Sequence, residues 1–153
     1  MSNSIEISIV VPVYNEEDSL PELVQQLLVA MRQIGESFEL VLVNDGSSDR
    51  SAEVLTLLSS DIPELVCVLL RKNYGQTAAM AAGFDISNGE IIVSIDGDLQ
   101  NDPADIPLLI NKLNEGYDLV CGWRYDRKDP EISRKIPSKI ANKLIKRVTG
   151  VHL

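Results

Sequence analysis

Cysteine, histidine and aromatic residues are scarce in this chain of 153 residues. It contains two cysteines, one histidine and 5% aromatic residues. Cys67 and Cys121 each lie in an apolar run, so we interpret them as buried thiols of a reducing compartment. Their spacing is typical neither of a metal site nor of a disulfide framework. The composition therefore argues against small disulfide-stapled domains and cysteine-based zinc modules.

Long apolar runs are also missing. None approaches the roughly 20 residues of a membrane-spanning helix. The first residues, MSNSIEIS, lack the basic start and apolar core of a signal peptide. With 44% hydrophobic residues, a chain of this length can bury a sizeable core. We therefore expect one compact domain that is soluble and faces the cytosol.

Positive charge is rare except near the end of the chain. Residues 1–123 contain 5 Lys and Arg against 20 Asp and Glu, whereas residues 124–153 contain 9 against 3. The net charge of -9 argues against a nucleic-acid-binding protein. The same charge difference divides the domain into an acidic part, 1–123, and a basic segment, 124–153.

Apolar runs alternate with helical patterns along the chain. The runs are nearly continuous in Val, Ile and Leu, which is typical of parallel strands covered on both faces. The pattern predicts an α/β fold, a doubly wound three-layer sandwich with a mostly parallel central sheet. The predicted strands are 5–13, 38–44, 65–70, 90–95 and 117–123, and the predicted helices are 20–34, 48–58, 76–87 and 105–114.

A polar cluster follows each predicted strand. Ligands of open α/β sheets bind beyond the carboxyl ends of the strands, so we expect these clusters to face one crevice. The first turn, PVYNEE, has neither the G-x-G-x-x-G of a dinucleotide-binding protein nor the G-x-x-x-x-G-K-[ST] of a phosphate loop. An acidic turn repels a diphosphate, so a divalent cation would have to mediate the contact.

The segment DGDLQNDP, residues 96–103, is the candidate metal site. Its carboxylate and amide oxygens suit Mg or Mn, and Gly97 allows a tight turn. The alternative is a solvated acidic turn that starts a helix at Pro103, and the residues alone leave both readings open. Asp102 is better explained as the N-cap of that helix. The predicted metal ligands are Asp96, Asp98 and Gln100.

Two further acidic loops have plain structural explanations. In NDGSSD, Ser47 or Ser48 could cap a helix, with Asp49 favoured by the helix dipole. These structural explanations do not account for Asp45. A carboxylate at the end of a strand could accept hydrogen bonds from a base or a ribose. In YNEE, Glu16 could equally be an acid in the first turn of a helix.

The segment 133–148 predicts a basic amphipathic helix. An apolar stripe and a basic stripe both recur at a spacing of four residues. Such helices lie on anionic membrane surfaces. The alternative, a helix that docks its apolar side on the sheet, stays open. The apolar positions are Ile136, Ile140, Leu144 and Val148, and the basic positions are Lys135, Lys139, Lys143 and Arg147.

Five segments in this order resemble the family 2 glycosyltransferases, which have the GT-A fold, a Rossmann-like architecture. The resemblance covers nearly the whole chain, and it is greatest to the polyprenyl-phosphate branch, such as dolichol-phosphate mannose synthases and bacterial undecaprenyl-phosphate glycosyl and aminoarabinose transferases. The segments are PVYNEEDSLPEL, VNDGSSDRS, RKNYGQTAAMAAGF, SIDGDLQNDPADIP and CGWRYDRKDPEISRKIPSKIANKLIKRVTG.

The resemblance implies metal-dependent, inverting transfer of a sugar from a nucleoside-diphosphate sugar, with UDP preferred over GDP. A Mg or Mn ion that bridges the diphosphate would be held by Asp96, Asp98 and Gln100. The nucleotide pocket would be lined by Pro12, Tyr14, Glu16, Val43, Asp45, Asp96 and Gly97, with Asp45 at the base.

The implied acceptor is a polyprenyl phosphate at the cytoplasmic face of the membrane. Its phosphate would be contacted by Arg124, Arg134 and Ser138, and the residues expected to be catalytic are Asp98, Arg124 and Arg134. A phosphate monoester is already anionic at neutral pH, so no general base is needed. We expect the chain to be the N-terminal catalytic core of a longer membrane protein.

Two other functions stay open. One is a soluble family 2 transferase that acts on a sugar hydroxyl in polysaccharide synthesis, which would need a general base. The other is a nucleotide-sugar-binding module without turnover. The intact metal ligands argue against this function, because a site that has lost catalysis has no need of them.

Overall fold

A computed structural model of the chain describes residues 5–122. Strands and helices alternate within this range, and a 3-10 turn, Pro103–Asp105, precedes the last helix. The strands are β1 (Ile7–Val13), β2 (Phe38–Asn44), β3 (Leu65–Leu69) and β4 (Ile91–Ser94), and the helices are α1 (Leu20–Ile34), α2 (Ser51–Asp61), α3 (Gln76–Ile86) and α4 (Ile106–Leu113).

The four strands form a parallel sheet in the order β3-β2-β1-β4. Ile7 lies opposite Phe38 on one side and opposite Ile91 on the other. The sheet grows outward from β1 to β3, and the chain then returns to add β4 on the free side of β1. This reversal creates a switch point between β1 and β4, where a crevice opens at the carboxyl ends of the strands.

Helices cover both faces of the sheet, which confirms the predicted three-layer architecture. One core cluster joins alternate side chains of the sheet to α1, α2 and α4, whereas Val10, Val41 and Val43 pack on the other face against Ala79 of α3. The predicted apolar stripe of α1 is fully buried at Leu20, Leu23, Leu27 and Met31. Each such side chain contributes about 1.5–3 kcal/mol of burial energy.

The fifth predicted strand is wrong within the described residues 117–122, which have no strand hydrogen bonding. Leu119 is 77% exposed. Apolar content favours an extended backbone, but a strand forms only where a neighbouring strand accepts and donates its hydrogen bonds. The contacts divide the chain between Val120 and Cys121, and the basic segment 124–153 lies outside the described residues.

The cysteine interpretation also needs correction. Cys121 is exposed and Cys67 is only partly buried. In the described part of the chain, Cys67 lies on β3, an edge strand of the sheet that packs against α2. Within residues 5–122, none of the helices combines the length and the apolar character of a membrane span.

Candidate functional site

A cleft of about 340 Å³ lies at the switch point, beyond the carboxyl ends of β1, β2 and β4. It brings together residues from four loops that are far apart in sequence. Its lining residues are Pro12, Val13, Tyr14, Glu16, Asp45, Asn73, Gly75, Gln76, Asp96, Gly97 and Asp98. The structure thus gathers most of the residues proposed for the nucleotide and the metal, whereas Val43 is fully buried in the core beneath.

The loops after β1 and β2 brace each other through backbone-to-side-chain hydrogen bonds. The backbone N–H of Ser48 donates to Oδ1 of Asn15 over 2.8 Å, and the N–H of Asn15 donates to Oγ of Ser47 over 2.9 Å. Asn15 adopts a positive φ of 56°. Neither Ser47 nor Ser48 caps α2, so those predicted caps are wrong. Tyr14, beside this brace, is 47% exposed and lines the cleft.

Asp49 and Glu16 connect the same two loops to the helices that follow. Partial burial acts to raise the pKa of Asp49, but hydrogen bonds from Ser51 and from the backbone of Glu17 outweigh it and lower that pKa. The carboxylate of Glu16 accepts a hydrogen bond from Oγ of Ser19 over 2.6 Å. Its backbone N–H donates to the buried Oγ of Ser51 over 2.9 Å. Glu16 is therefore oriented from both sides.

Asp45 is 2% exposed, and both of its carboxylate oxygens accept backbone hydrogen bonds. The N–H groups of Tyr74 and Gly75 donate to Oδ1 and Oδ2, each over 2.8 Å. Both donors belong to the β3 loop, residues 70–75. Asp45 thus anchors that loop to the end of β2, a task that the sequence did not reveal.

Gly46 lets the β3 loop approach this closely. Its φ of 62° favours glycine, and a Cβ there would lie 2.2 Å from the carbonyl carbon of Lys72. Above this contact, Nζ of Lys72 lies 5.2 Å from the ring centre of Tyr74, within cation–π range. The end of β2 and the β3 loop are therefore packed as one wall of the cleft.

The acidic turn, residues 96–102, forms the opposite wall. Nε2 of Gln76 donates to Oδ1 of Asp96 over 2.7 Å. A Cβ on Gly97 would lie 3.1 Å from the carbonyl oxygen of Pro12, so glycine keeps the turn close to β1. Asp98 is exposed, and its Oδ1 accepts a hydrogen bond from the backbone N–H of Gln100 over 3.0 Å.

The other residues of the acidic turn lie away from the cleft. Gln100 lines a neighbouring groove of about 480 Å³ beside α1, together with Leu99 and Asn101. Leu99 takes a positive φ of 56° where the turn changes direction. Oδ1 of Asp102 accepts a hydrogen bond from the N–H of Ala104 over 2.9 Å, which confirms Asp102 as the N-cap of the 3-10 turn.

The residues that line the cleft could hold a hard divalent cation together with a phosphate ligand. The acidic turn adds two carboxylates, Asp96 and Asp98, to a lining that also contains Glu16 and Asp45, and no group of three His, Cys, Asp or Glu side chains arranged for a metal occurs in residues 5–122. Mg and Mn commonly take their other ligands from phosphate oxygens and water. Neither lysine nor arginine is among the described lining residues. An anionic ligand would therefore need the cation to offset the carboxylates.

Sequence reasoning missed Asn73, Gly75 and Gln76 as individual lining residues. Two signals could have found them: the β3 loop ends at the same sheet edge as the acidic loops, and the three residues lie in the family-like segment RKNYGQTAAMAAGF, although no role was assigned to them there. Arg124, Arg134 and Ser138, proposed for the acceptor phosphate, lie outside the described residues, as does the predicted helix 133–148.

Comparisons with known proteins agree with this architecture. The profile of the family described as Glycosyl transferase family 2 matches residues 8–152. The undecaprenyl-phosphate 4-deoxy-4-formamido-L-arabinose transferase of Pectobacterium carotovorum is 50% identical over 146 residues, which are 94% of this chain and 44% of the relative. This chain therefore spans less than half the length of that relative.

Two solved structures show the same fold at low sequence identity. Glucosyl-3-phosphoglycerate synthase from Mycobacterium tuberculosis, in complex with Mn2+, UDP and phosphoglyceric acid, has a TM-score of 0.70 at 20% identity, over 95% of this chain and 50% of that one. A mannosyltransferase from Pyrobaculum calidifontis, in complex with GDP-Man and Mn2+, has a TM-score of 0.52 at 22% identity, over 68% and 30%. They confirm the expected GT-A fold. With the family match over nearly its whole length, the chain belongs to glycosyl transferase family 2.

Proposed function

We propose that this chain is the donor-binding part of an enzyme that transfers a sugar from a nucleoside-diphosphate sugar to a polyprenyl phosphate. The observation that carries the proposal is the acidic cleft at the switch point, in which Asp96 and Asp98 face Tyr14 and Asp45. The names of the related transferases, which act with undecaprenyl phosphate, supply the acceptor class. UDP is preferred over GDP because the β3 loop and the acidic turn resemble those of undecaprenyl-directed relatives.

The proposed donor pose follows from the two walls of the cleft. The exposed ring of Tyr14 offers a face on which a base can stack, and Pro12 and Glu16 line the space beside it. Asp45 would contact the base while it continues to anchor the β3 loop. Each of its carboxylate oxygens has two lone pairs, so it can accept a hydrogen bond from the base in addition to the one from the loop backbone. Gly97, which keeps the acidic turn close to β1, places the backbone of that turn beside the proposed diphosphate position.

Asp96 and Asp98 are the proposed ligands of Mg or Mn, with Gln100 as the third candidate. When bound, the divalent cation would neutralise the charge that develops on the leaving diphosphate. Gln100 would have to turn from the groove beside α1 to reach such an ion, so Asp96 and Asp98 are preferred. Because both metals favour oxygen ligands, this donor set does not separate Mg from Mn.

We propose that Arg124 and Arg134, with Ser138, bind the acceptor phosphate. An anionic phosphate oxygen can attack the anomeric carbon in line with the departing diphosphate, which inverts the configuration. This requires no general base, because the nucleophile is already deprotonated at neutral pH. The arginines would hold the anionic acceptor phosphate close to the anionic donor, and Asp98 would bind the cation at the donor diphosphate.

The proposal includes a membrane surface as a partner. The segment 133–148 carries basic residues at helical spacing, which would attract anionic headgroups at the cytoplasmic face. Flotation with anionic liposomes tests this: binding should weaken with salt and with the change of Lys135, Lys139 and Lys143 to Glu. Binding that changes neither with salt nor with these substitutions would favour a soluble transferase that acts on a sugar hydroxyl.

Calorimetry of UDP and UDP-sugars, with and without Mn2+, tests the donor site. We expect Mn2+ to strengthen binding and Asp98→Ala to remove that increment, with Asp61→Ala as a control on the exposed end of α2. Unchanged Mn2+-dependent binding in Asp98→Ala would refute the metal assignment. Turnover on a short polyprenyl phosphate, lost in Asp98→Ala and Arg134→Ala of the complete protein, would separate an enzyme from a binding module.

A further inference from the structure

Gln76, the first residue of α3, connects the two walls of the cleft. Its Nε2 donates to Oδ1 of Asp96 over 2.7 Å, across 20 positions of sequence. The family motifs in the sequence did not single out this side chain. On the basis of the proposed function, we propose that Gln76 is a positioning residue. It orients the Asp96 carboxylate for the divalent cation that binds with the nucleoside diphosphate.

The backbone beneath Gln76 is fixed, so its side chain starts from a defined place. Gly75, the residue before it, has a φ of 95°, and its carbonyl oxygen accepts the first hydrogen bonds of α3 from Ala78 and Ala79. Asp45 holds the N–H of the same glycine over 2.8 Å. A long polar side chain on an exposed helix end is ordinarily mobile, but here the connection through Asp45 places it beside the acidic turn.

An amide suits this position better than a charged group would. Gln76 donates a hydrogen bond without carrying charge, so Asp96 keeps its full negative charge for a cation. A lysine at position 76 would pair with Asp96 and compete with the cation for the same carboxylate. A methionine would match glutamine in length but would leave Asp96 without this donor. A comparison of glutamine, methionine and lysine at position 76 therefore separates the effect of orienting Asp96 from the effect of a positive charge beside it.

The experiment compares Gln76→Met and Gln76→Lys with the wild-type 153-residue chain. Gln33→Met serves as the matched control, because it makes the same chemical change at an exposed position in the last turn of α1. Calorimetry measures UDP binding without metal and with Mn2+. Electron paramagnetic resonance counts the Mn2+ that is bound in the presence of UDP. Melting temperatures identify any variant that fails to fold.

We expect Gln76→Met to keep metal-free UDP binding within about twofold and to lower the Mn2+-dependent enhancement about tenfold, the factor for one hydrogen bond to a charged acceptor. Gln76→Lys should lower it further, whereas Gln33→Met should leave it unchanged. A merely structural role would instead weaken binding equally with and without Mn2+, and that result would overturn the inference.

The failures of the two proposals are distinguishable. If wild-type protein shows no Mn2+-dependent binding of UDP or GDP, the proposed donor site is wrong, and this inference is wrong with it. If wild-type protein shows that dependence and Gln76→Met retains it in full, only the positioning role of Gln76 is overturned.

Discussion

Replacing Asp45 with alanine should release the β3 loop from the end of β2. Asp45 is 2% exposed and accepts hydrogen bonds from the N–H groups of Tyr74 and Gly75, each over 2.8 Å. A hydrogen bond to a charged group contributes about 1.5–3 kcal/mol. Because water can reach the exposed Tyr74, the lower end applies, and both bonds together should cost about 3 kcal/mol of unfolding free energy.

The loss should be uneven along the loop. Gly75 keeps a second acceptor, Oδ1 of Asn73 at 3.0 Å, whereas Asp45 is the acceptor that holds Tyr74. If about 1.5 kcal/mol is lost at Tyr74, its amide should exchange with solvent about tenfold faster, with a smaller change at Gly75. Native-state hydrogen exchange followed by NMR resolves the two amides, and urea denaturation measures the global loss.

Asp61→Ala, at the exposed end of α2, controls for the loss of a negative charge. It should change neither amide. If Tyr74 exchanges at its wild-type rate in Asp45→Ala, the carboxylate does not hold the loop, and other contacts build that wall of the cleft.

Three other expectations concern the rest of the fold. Glu39→Ala should lower the unfolding free energy by about 3 kcal/mol in urea denaturation, because the buried carboxylate accepts hydrogen bonds from Ser8 and Asn88; UDP binding at the opposite end of the sheet should not change. Iodoacetamide should label Cys121 faster than Cys67, as followed by mass spectrometry, since burial raises the pKa of the Cys67 thiol. Because folding lowers the pKa of Asp49, its carboxylate stabilises the fold at pH values above its ordinary pKa of 3.8, and this stabilisation is lost as the pH falls through the folded-state pKa. Asp49→Asn should therefore flatten the acid limb of the curve of unfolding free energy against pH, and an unaltered limb would contradict this.

Most of the fold could be predicted from local patterns. The stripe Leu20, Leu23, Leu27 and Met31 has helical spacing, and the core confirms it. The fifth strand failed for a physical reason: Leu119 lies in a run with strand composition, but pairing depends on a neighbouring edge that composition does not reveal. The start of α2 moved to Ser51 because Ser47 and Ser48 bond to the β1 loop instead of capping the helix.

The site was predictable where motifs carry it and hidden where tertiary contacts do. Asp96 and Asp98 follow the apolar run of β4 and were found as a pair. The anchoring of the β3 loop by Asp45 and the contact of Gln76 with Asp96 join residues that lie 20 to 30 positions apart. Neither residue type implies such a partner, because a carboxylate or an amide can bond to any nearby polar group.

The return of the chain to β1 also sets the order in which the protein can become functional during synthesis. The first three strands can form a sheet once the chain up to Leu69 has left the ribosome, but one edge of β1 then stays open until Ile91 arrives opposite Ile7. An open edge of a central strand is a template for wrong pairing. A nascent chain that stops before Ile91 would therefore have the base-side wall of the cleft, no acidic turn and an open edge on β1, so nucleotide binding would report that β4 has joined the sheet.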